Sequence, residues 1–463
     1  MYLRDIHIDG LKLLRNFELD FTRDGKPRMW TVLVGRNGLC KTSILRAIAI
    51  AASGQTLASQ LAEDWLPSIL DKRRSKCVFN GIAKFDVPGY PAALRTRTRL
   101  FPEHRGLSQA SVFDSSDDES EEFRRTTNEY AELLRQLDTG EVSAGETDDV
   151  DYIEWAVEDP LETARQRALP NWFVAAYGTS RSLPVPGQSK DLGDHTRTRM
   201  WNLFDRGAVI GTGVADHIEG PQAEAYARCL ERVLLNHADL LPGIHGFELR
   251  GRGGGNAAHQ IVLKHRFDMQ AGLETIETPA TWLSHGYQST IAWLADLVGH
   301  YLWQANAAGA SVDIDPADMQ GLVLIDELDL HLHPSWQVGL IPALKQTFPK
   351  LQFIVTTHSP MLLAGLEADE IVMLDQDPET GDITARSDER PPKLMTGTEL
   401  LRRYFDVKKL YPVNLSKQAF EYARLASDPE RSDEEDVRVQ EIYADLARAG
   451  VAPDWNPVAR RPS

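Results

Sequence analysis

The stretch MWTVLVGRNGLCKTSILRAI, Met29–Ile48, decides the fold of this chain. Residues 30–34 form a short β-branched and apolar run typical of a buried strand, and from Thr42 the apolar residues recur at helical spacing. Between them lies GRNGLCKT, which matches the phosphate-binding pattern G-x-x-x-x-G-K-[ST] except at Cys40, where a glycine is expected. The stretch therefore predicts a strand, a phosphate-binding loop and a helix in succession.

The chemistry of polyphosphate binding explains this pattern. Backbone N–H groups of a tight loop and the positive end of a helix surround the phosphates, Lys41 adds a point charge, and Thr42 is available to bind Mg²⁺. Cys40 requires either a backbone conformation that an L-residue tolerates or a strained loop. The residues that we expect around the phosphates are Gly35, Arg36, Asn37, Gly38, Leu39, Cys40, Lys41, Thr42 and Ser43.

The composition indicates a soluble globular protein. A chain of 463 residues with 42% hydrophobic and 25% charged residues is long enough for two or three domains. It has no run of eighteen apolar residues and its N-terminus does not resemble a signal peptide, so we expect a cytoplasmic protein without a membrane segment. The three widely spaced cysteines fit a reducing compartment.

Most of the negative charge lies in one segment. Residues 114–159 contain 17 acidic and 3 basic side chains, a net charge of −14 out of −18 for the whole chain. This polar segment predicts a mobile insertion or an interaction surface. The remaining residues are close to neutral, so nucleic acid could bind only through a local basic patch.

A second candidate anion site lies far along the chain, in LSHGYQ at residues 283–288. A serine and a glycine, Ser284 and Gly286, precede a predicted helix with apolar residues at 291, 294 and 297. A hydroxyl group and the free N–H groups at a helix start can bind an anion. A simple helix N-cap is the alternative interpretation.

Two further apolar runs end in residues suited to nucleotide chemistry. LVLIDELDLHLHPSW, at residues 322–336, predicts a buried strand that carries Asp326 and Glu327 to its carboxyl end. We expect Asp326 to hold Mg²⁺ and Glu327 to act as general base toward a water molecule. LQFIVTTHSP, at residues 351–360, predicts a second strand whose His358 can reach a terminal phosphate.

Together these motifs resemble the ABC-type ATPase head of the RecF and SMC kind, within the AAA family. The resemblance implies an α/β P-loop NTPase with a mixed parallel core sheet, an antiparallel subdomain and a lobe of mixed helix and strand. In that family residues 35–42 are Walker A, 283–288 the signature motif, 322–327 Walker B, and His358 the switch histidine. LIDELDLHLHP and TTHSP further resemble ATPases of bacterial anti-phage systems, such as the Septu ATPase subunit and the ATPases related to overcoming-lysogenization nucleases.

The resemblance implies ATP and Mg²⁺ as cofactors, with Thr42 and Asp326 at the metal and Glu327 and His358 as catalytic residues. ATP would be shared between the P-loop of one copy and Ser284, Gly286 and Gln288 of another, which gives a homodimer or higher oligomer. The implied function is an ATP-hydrolysing switch that controls a separately encoded effector, such as a nuclease from the same operon. A RecF-like DNA-repair ATPase and a non-hydrolysing, nucleotide-dependent scaffold are the alternatives.

Three departures from the family pattern qualify this interpretation. Cys40 replaces a loop glycine, the Q-loop glutamine has no clear equivalent near residues 177–181, and the long heptad arms of SMC proteins do not occur. The sequence after His358 also lacks the paired acidic motifs of a Toprim nuclease, so we expect no nuclease activity from this chain alone.

The motifs suggest five regions. An N-terminal ATPase lobe with antiparallel strands and the P-loop occupies residues 1–102, and the acidic insertion occupies 103–160. A middle lobe of mixed structure covers residues 161–282, and a C-terminal ATPase lobe with the other three motifs covers 283–390. A helical tail, residues 391–463, completes the chain.

Overall fold

The computed structural model describes residues 1–62, 65, 79–88, 93–100, 107–112, 172–183, 195–205, 207–208, 210, 221–249, 261–269, 272–309, 313–387, 390–407, 413–449 and 457–458. The strands are β1 (Tyr2–Asp9), β2 (Phe17–Asp20), β3 (Thr22–Arg23), β4 (Lys26–Pro27), β5 (Trp30–Val34), β6 (Phe79–Asp86), β7 (Leu94–Leu100), β8 (Leu107–Val112), β9 (Val174–Tyr177), β10 (Ile244–Leu249), β11 (Ile261–Met269), β12 (Gly272–Pro279), β13 (Gly321–Ile325), β14 (Leu351–Thr356), β15 (Ile371–Gln376) and β16 (Ile383–Ser387). The α-helices are α1 (Lys41–Ala51), α2 (Gln55–Ala62), α3 (His195–Phe204), α4 (Pro221–Leu235), α5 (His285–Ala307), α6 (Pro334–Thr347), α7 (Gly397–Phe405), α8 (Val413–Ala426) and α9 (Asp433–Arg448).

The chain divides into two compact units, and the larger one, Met1–Gly397, contains a core sheet of six described strands. The strand order is β16-β15-β5-β14-β13-β9, with every pair parallel except β15 and β16. Strands β5, β13 and β14 are buried along their whole length, which explains their continuous apolar sequences. Their carboxyl ends lie at one edge of the sheet, where parallel sheets place ligands.

A second sheet is antiparallel, in the order β2-β1-β6-β7-β8 among the described strands. Strand β6 alternates strictly between buried and half-buried residues, as expected for a strand with only one face on the core. Helix α1 contacts strands of both sheets and buries nine of its residues. A helix that is apolar almost all round is thus explained by its place between two layers.

A buried glutamine, Gln352 in β14, joins the two sheets directly. Its Oε1 accepts a hydrogen bond of 2.7 Å from the backbone N–H of Leu3, and its Nε2 donates to the Leu3 carbonyl at 2.8 Å. The same amide donates to the carbonyl of Arg28 at 3.0 Å. Every polar atom of this side chain therefore has a partner, which allows a polar residue inside the core.

The rest of the larger unit includes the antiparallel sheet β10-β11-β12 and the long helix α5, which packs against α4. The smaller unit, Thr398–Ser463, has its own apolar cluster between α8 and α9, made of Tyr422, Leu425, Ala426, Val439, Ile442 and Leu446. None of the described helices is long and apolar enough to cross a membrane.

The predicted fold class is confirmed: a mixed, largely parallel core sheet, an antiparallel sheet and a mixed lobe are all present. Helix α2 begins at Gln55, and β2 covers only the four residues Phe17–Asp20. Strand β12 was not predicted, because its polar sequence GLETIETP carries little apolar signal.

The predicted acidic insertion, residues 103–160, contains a strand, since β8 covers Leu107–Val112. The rest of that segment lies outside the described residues, so its predicted mobility stays a prediction.

Candidate functional site

The loop between β5 and α1 adopts a backbone that favours glycine. Gly35, Gly38 and Cys40 have φ angles of +155°, +89° and +59°. A Cβ atom on Gly35 would lie 2.9 Å from the carbonyl oxygen of Leu374, so only glycine fits there. Cys40 occupies the left-handed region at the N-cap of α1, which costs a non-glycine residue about 1–3 kcal/mol. Of the two possibilities left open by the sequence, the structure has the strained loop.

Lys41, the first residue of α1, is almost fully buried and points back into the loop. Its ammonium group donates hydrogen bonds to the carbonyl oxygens of Gly35, at 2.7 Å, and Arg36, at 3.0 Å. Burial lowers the pKa of Lys41, and the carboxylates of Asp326 and Glu327 oppose that shift. The loop therefore carries a cation at the position where phosphate binding requires one.

A chain of hydrogen bonds connects α1 to the ends of two core strands. The hydroxyl group of Thr42 donates to Asp326 Oδ2 at 2.8 Å, and that of Thr356 donates to Asp326 Oδ1 at 2.7 Å. The Thr356 oxygen in turn accepts the backbone N–H of Glu327 at 2.7 Å. Oxygen donors of this kind are the ligands that Mg²⁺ prefers, so Thr42 and Asp326 fit the predicted metal position.

Glu327 follows β13 in a left-handed backbone conformation, with φ of +49°. Its carbonyl oxygen accepts a hydrogen bond of 2.7 Å from Arg181 Nη2, while its N–H is held by Thr356. Both sides of this residue's backbone are thus fixed, which fixes the direction in which its half-buried side chain leaves the backbone. Fixed orientation is the first requirement for a general base.

His358 follows β14 and is half-buried. Burial and the nearby Lys41 ammonium lower the pKa of His358, which favours the neutral imidazole at pH 7. Its backbone N–H donates to Asp329 Oδ1 at 3.3 Å, and the hydroxyl of Thr357 donates to the same oxygen. Asp329 therefore fixes the turn that carries the histidine.

The residues predicted from three separate motifs line one cavity of about 170 Å³. Its walls are Lys12, Asn37, Gly38, Leu39, Cys40, Lys41, Thr42, Ser43, Asp326, Glu327 and His358. Gly35 and Arg36 belong to the loop but are not among these lining residues. The structure thus brings the P-loop, the Asp326-Glu327 turn and His358 together.

The turn at residues 283–288, which we call the Ser284 turn, has a different character. Ser284 is the N-cap of α5, is exposed and makes no side-chain capping bond. A Cβ atom on Gly286 would lie 2.6 Å from the carbonyl oxygen of His331, so this glycine permits close packing within the chain. The Gln288 amide group donates to the carbonyls of Thr281, at 3.0 Å, and Leu283, at 2.7 Å.

The Ser284 turn does not contribute to the P-loop cavity of the same chain. Ser284 lines a separate cavity with Asp239, Pro242, Tyr287, His331, His333, Ser335 and Trp336. The predicted site residues therefore form two groups, one around the P-loop and one around Ser284.

Sequence reasoning missed four residues of the first group: Lys12, Arg181, Asp329 and Thr356. Asp329 and Thr356 lie within the quoted motifs, in LIDELD and IVTTHSP, so their proximity to Asp326 and His358 was a usable signal. Lys12 lies far from those motifs in sequence. Arg181 lies in the stretch 177–181 considered for the Q-loop, but only the tertiary fold reveals its contact with Glu327.

Comparison with known proteins adds to this geometry. The family model described as "AAA domain, putative AbiEii toxin, Type IV TA system" matches residues 270–364. The Septu protein PtuA of Bacillus mycoides (strain KBAB4) is 24% identical over 465 residues, covering 97% of this chain and 51% of the relative. The "Retron Ec83 probable ATPase" of Escherichia coli is 44% identical over 93 residues, which is 20% of this chain and 16% of the relative.

The chain spans about half the length, or less, of these curated relatives. Among solved structures, the SMC head domain from Thermotoga maritima aligns with 84% of this chain and 100% of its own, at 14% identity and a TM-score of 0.41.

The matches with Septu and retron proteins and with the AAA domain agree with the P-loop architecture described above. The chain therefore resembles ABC-type ATPases of the AAA family and is similar in sequence to Septu and retron ATPase proteins.

Proposed function

We propose that this protein binds ATP and Mg²⁺ at the P-loop cavity, hydrolyses ATP with Glu327 as general base, and uses the cycle to control a separately encoded effector in anti-phage defence. The convergence of Lys41, Thr42, Asp326, Glu327 and His358 on one cavity carries the proposal. Lys41 and the first turn of α1 would bind the phosphates, and Thr42 and Asp326 would hold the metal. His358 would donate a hydrogen bond to the terminal phosphate.

We further propose that ATP joins two copies of the chain. The P-loop cavity, at about 170 Å³, is smaller than the roughly 300–1,000 Å³ typical of a ligand pocket, which is consistent with a site that needs a second wall. The Ser284 turn offers an exposed serine at a helix start, and Trp282 beside it is 80% exposed. An anion-binding helix start beside an exposed tryptophan suits contact with a second copy and its nucleotide.

The decisive test of the catalytic assignment is Glu327→Gln. Loss of a positioned base is expected to reduce turnover by about 10²–10⁴. ATP affinity should remain, because Lys41, Thr42 and Asp326 are unchanged. Steady-state ATPase activity and equilibrium binding measure the two properties separately, and Glu379→Gln, an exposed carboxylate in the β15–β16 turn, is the matched control.

Each result has a clear meaning. A Glu327→Gln variant with parental turnover would show that another group activates the water. A parental protein that binds ATP without hydrolysis would instead support the non-hydrolysing scaffold.

The effector assignment rests on the Septu and retron likeness and on the absence of recognisable nuclease motifs in the sequence. We expect the purified chain to leave DNA and RNA intact and to gain nuclease output only with a partner from its operon. Because a nucleotide shifts a switch only through different affinities for its states, ATP and ADP should change the partner's binding unequally. Metal-dependent cleavage by this chain alone, removed by a mutation in it, would refute this division of roles.

A further inference from the structure

Arg181 lies at the junction of β9, the Asp326-Glu327 turn and helix α5. It is 5% exposed, four residues beyond the end of β9. Its guanidinium donates to the carbonyl oxygens of Gly178, at 2.8 Å, Glu327, at 2.7 Å, and Asp326. Its Nε also donates to the hydroxyl of Ser289 at 3.3 Å.

The charge of Arg181 persists in this buried position. Burial lowers its pKa to about 10, while the carboxylates of Asp326, Asp329 and Glu327 oppose the shift. The group is therefore protonated near neutral pH. Its bonding partners in this cluster are three backbone carbonyls and one hydroxyl, so the contacts fix the course of the backbone around it.

The two ends of this contact set belong to the two groups of site residues. One end holds the peptide of Glu327, whose left-handed conformation is set by Arg181 on one side and Thr356 on the other. The other end holds Ser289, in the first turns of the helix that begins after Ser284. A planar guanidinium has a rigid fork of donors, so it cannot follow a displacement of α5 without tilting toward or away from the two carbonyls.

We propose that Arg181 is a positioning residue that couples the Ser284 turn to Glu327, so that docking of a second copy at the turn sets the orientation of the base. The inference rests on the proposed function. By the same geometry, nucleotide at the P-loop cavity stabilises the arrangement of α5 that the second copy meets, since coupling between two sites is reciprocal.

The primary test is Arg181→Lys in the full chain, because lysine keeps the charge and loses the fork. We expect kcat to fall by about 10²-fold, because misplacing a catalytic group by about 1 Å has an effect of this size. KM and ATP affinity should stay within about threefold of the parental values, because no phosphate ligand changes. The control is Arg28→Lys. Arg28 is a buried arginine just before β5, and its guanidinium donates to the Thr31 hydroxyl and to the Asp20 carbonyl.

A local structural defect at the base would lower kcat without changing the ATP-dependent association of two copies. Association is therefore measured as well. In the Glu327→Gln background, Arg181→Lys should weaken ATP-dependent association in sedimentation experiments by about tenfold, whereas Arg28→Lys should not. Parental kcat and parental association in a folded Arg181→Lys protein would overturn the proposal.

Ser289→Ala keeps the test decisive if Arg181→Lys does not fold. It removes one acceptor of Arg181. The protein concentration at which turnover per subunit reaches half its maximum should rise by about threefold. Thr290→Ala is its control, since that hydroxyl bonds to the Gly286 carbonyl within the same helix at 2.9 Å. An unshifted curve for Ser289→Ala overturns the coupling while leaving parental ATP hydrolysis, and hence the proposed function, intact; absence of parental hydrolysis overturns both.

Discussion

The P-loop cavity and the Ser284 turn are both built at the start of a helix, yet Lys41 in the cavity and Ser284 in the turn are used in opposite ways. In the cavity, Lys41, Thr42 and Asp326 are largely buried or half-buried and bond to their own chain. In the turn, Ser284 is exposed without a capping bond, and Trp282 is 80% exposed. Glycine also serves different ends, since Gly35 permits a loop conformation and Gly286 permits close contact with His331.

The difference suggests that one half of the site is organised before any ligand arrives, whereas the other is organised to receive a partner. Preorganisation lowers the cost of binding because few groups must be ordered at that step. The exposed hydroxyl of Ser284 and the exposed ring of Trp282 are available for contacts with another molecule. Mutations in the two regions should therefore affect different measurements.

The largest expected effect in this comparison is that of Lys41→Ala on nucleotide affinity. Hydrogen bonds to a charged group contribute about 1.5–3 kcal/mol, so ATP affinity should fall by roughly 10- to 150-fold. Isothermal titration calorimetry measures this directly, with Lys350→Ala, an exposed lysine paired with Asp318, as the control. Unchanged affinity would mean that the cavity is not the nucleotide site.

Ser284→Asp should have the complementary effect. Aspartate caps a helix as well as serine does, so α5 should remain stable while a carboxylate faces the phosphates of the second copy. We expect parental ATP affinity and about tenfold weaker ATP-dependent association, measured by sedimentation. Gly286→Asp is a poorer probe, because its Cβ atom would collide with His331 in the same chain.

Mixing the two variants sharpens this prediction. If sites form between copies, Lys41→Ala and Ser284→Asp proteins together should recover part of the ATPase activity. Parental association by Ser284→Asp would instead place the contact between copies elsewhere on the surface.

The smallest expected effect is that of Cys40→Gly on stability. Relief of the left-handed strain contributes about 1–3 kcal/mol, offset by about 0.4–1 kcal/mol for the greater freedom of glycine in the unfolded chain. The free energy of unfolding should therefore increase by about 1 kcal/mol, and chemical denaturation measures it. A decrease would show that the packing of the buried thiol outweighs the strain.

The same cysteine offers a second observation. Cys40 lines the cavity, so bound ATP should protect it from alkylation, whereas Cys229 lies buried outside it as an internal control.

Local sequence patterns were sufficient for the core strands and for the loop that follows β5, because buried parallel strands are continuously apolar and the P-loop has a fixed spacing. They were insufficient where an interaction joins distant segments. Arg181 meets Asp326 across 145 positions, and Gln352 meets Leu3 across 349. The sequence also left the backbone conformation at Cys40 open, since an unstrained and a strained loop are both compatible with GRNGLCKT.

The two hydrogen bonds from Lys41 to the carbonyls of Gly35 and Arg36 make nucleotide capture an exchange. An incoming phosphate competes with oxygens that the ammonium already contacts, so the measured affinity is a difference between two sets of bonds. Without nucleotide the buried Lys41 ammonium is still hydrogen-bonded, because its acceptors lie within its own loop. Substitutions that alter the loop backbone should consequently change affinity for ATP even where they touch no phosphate.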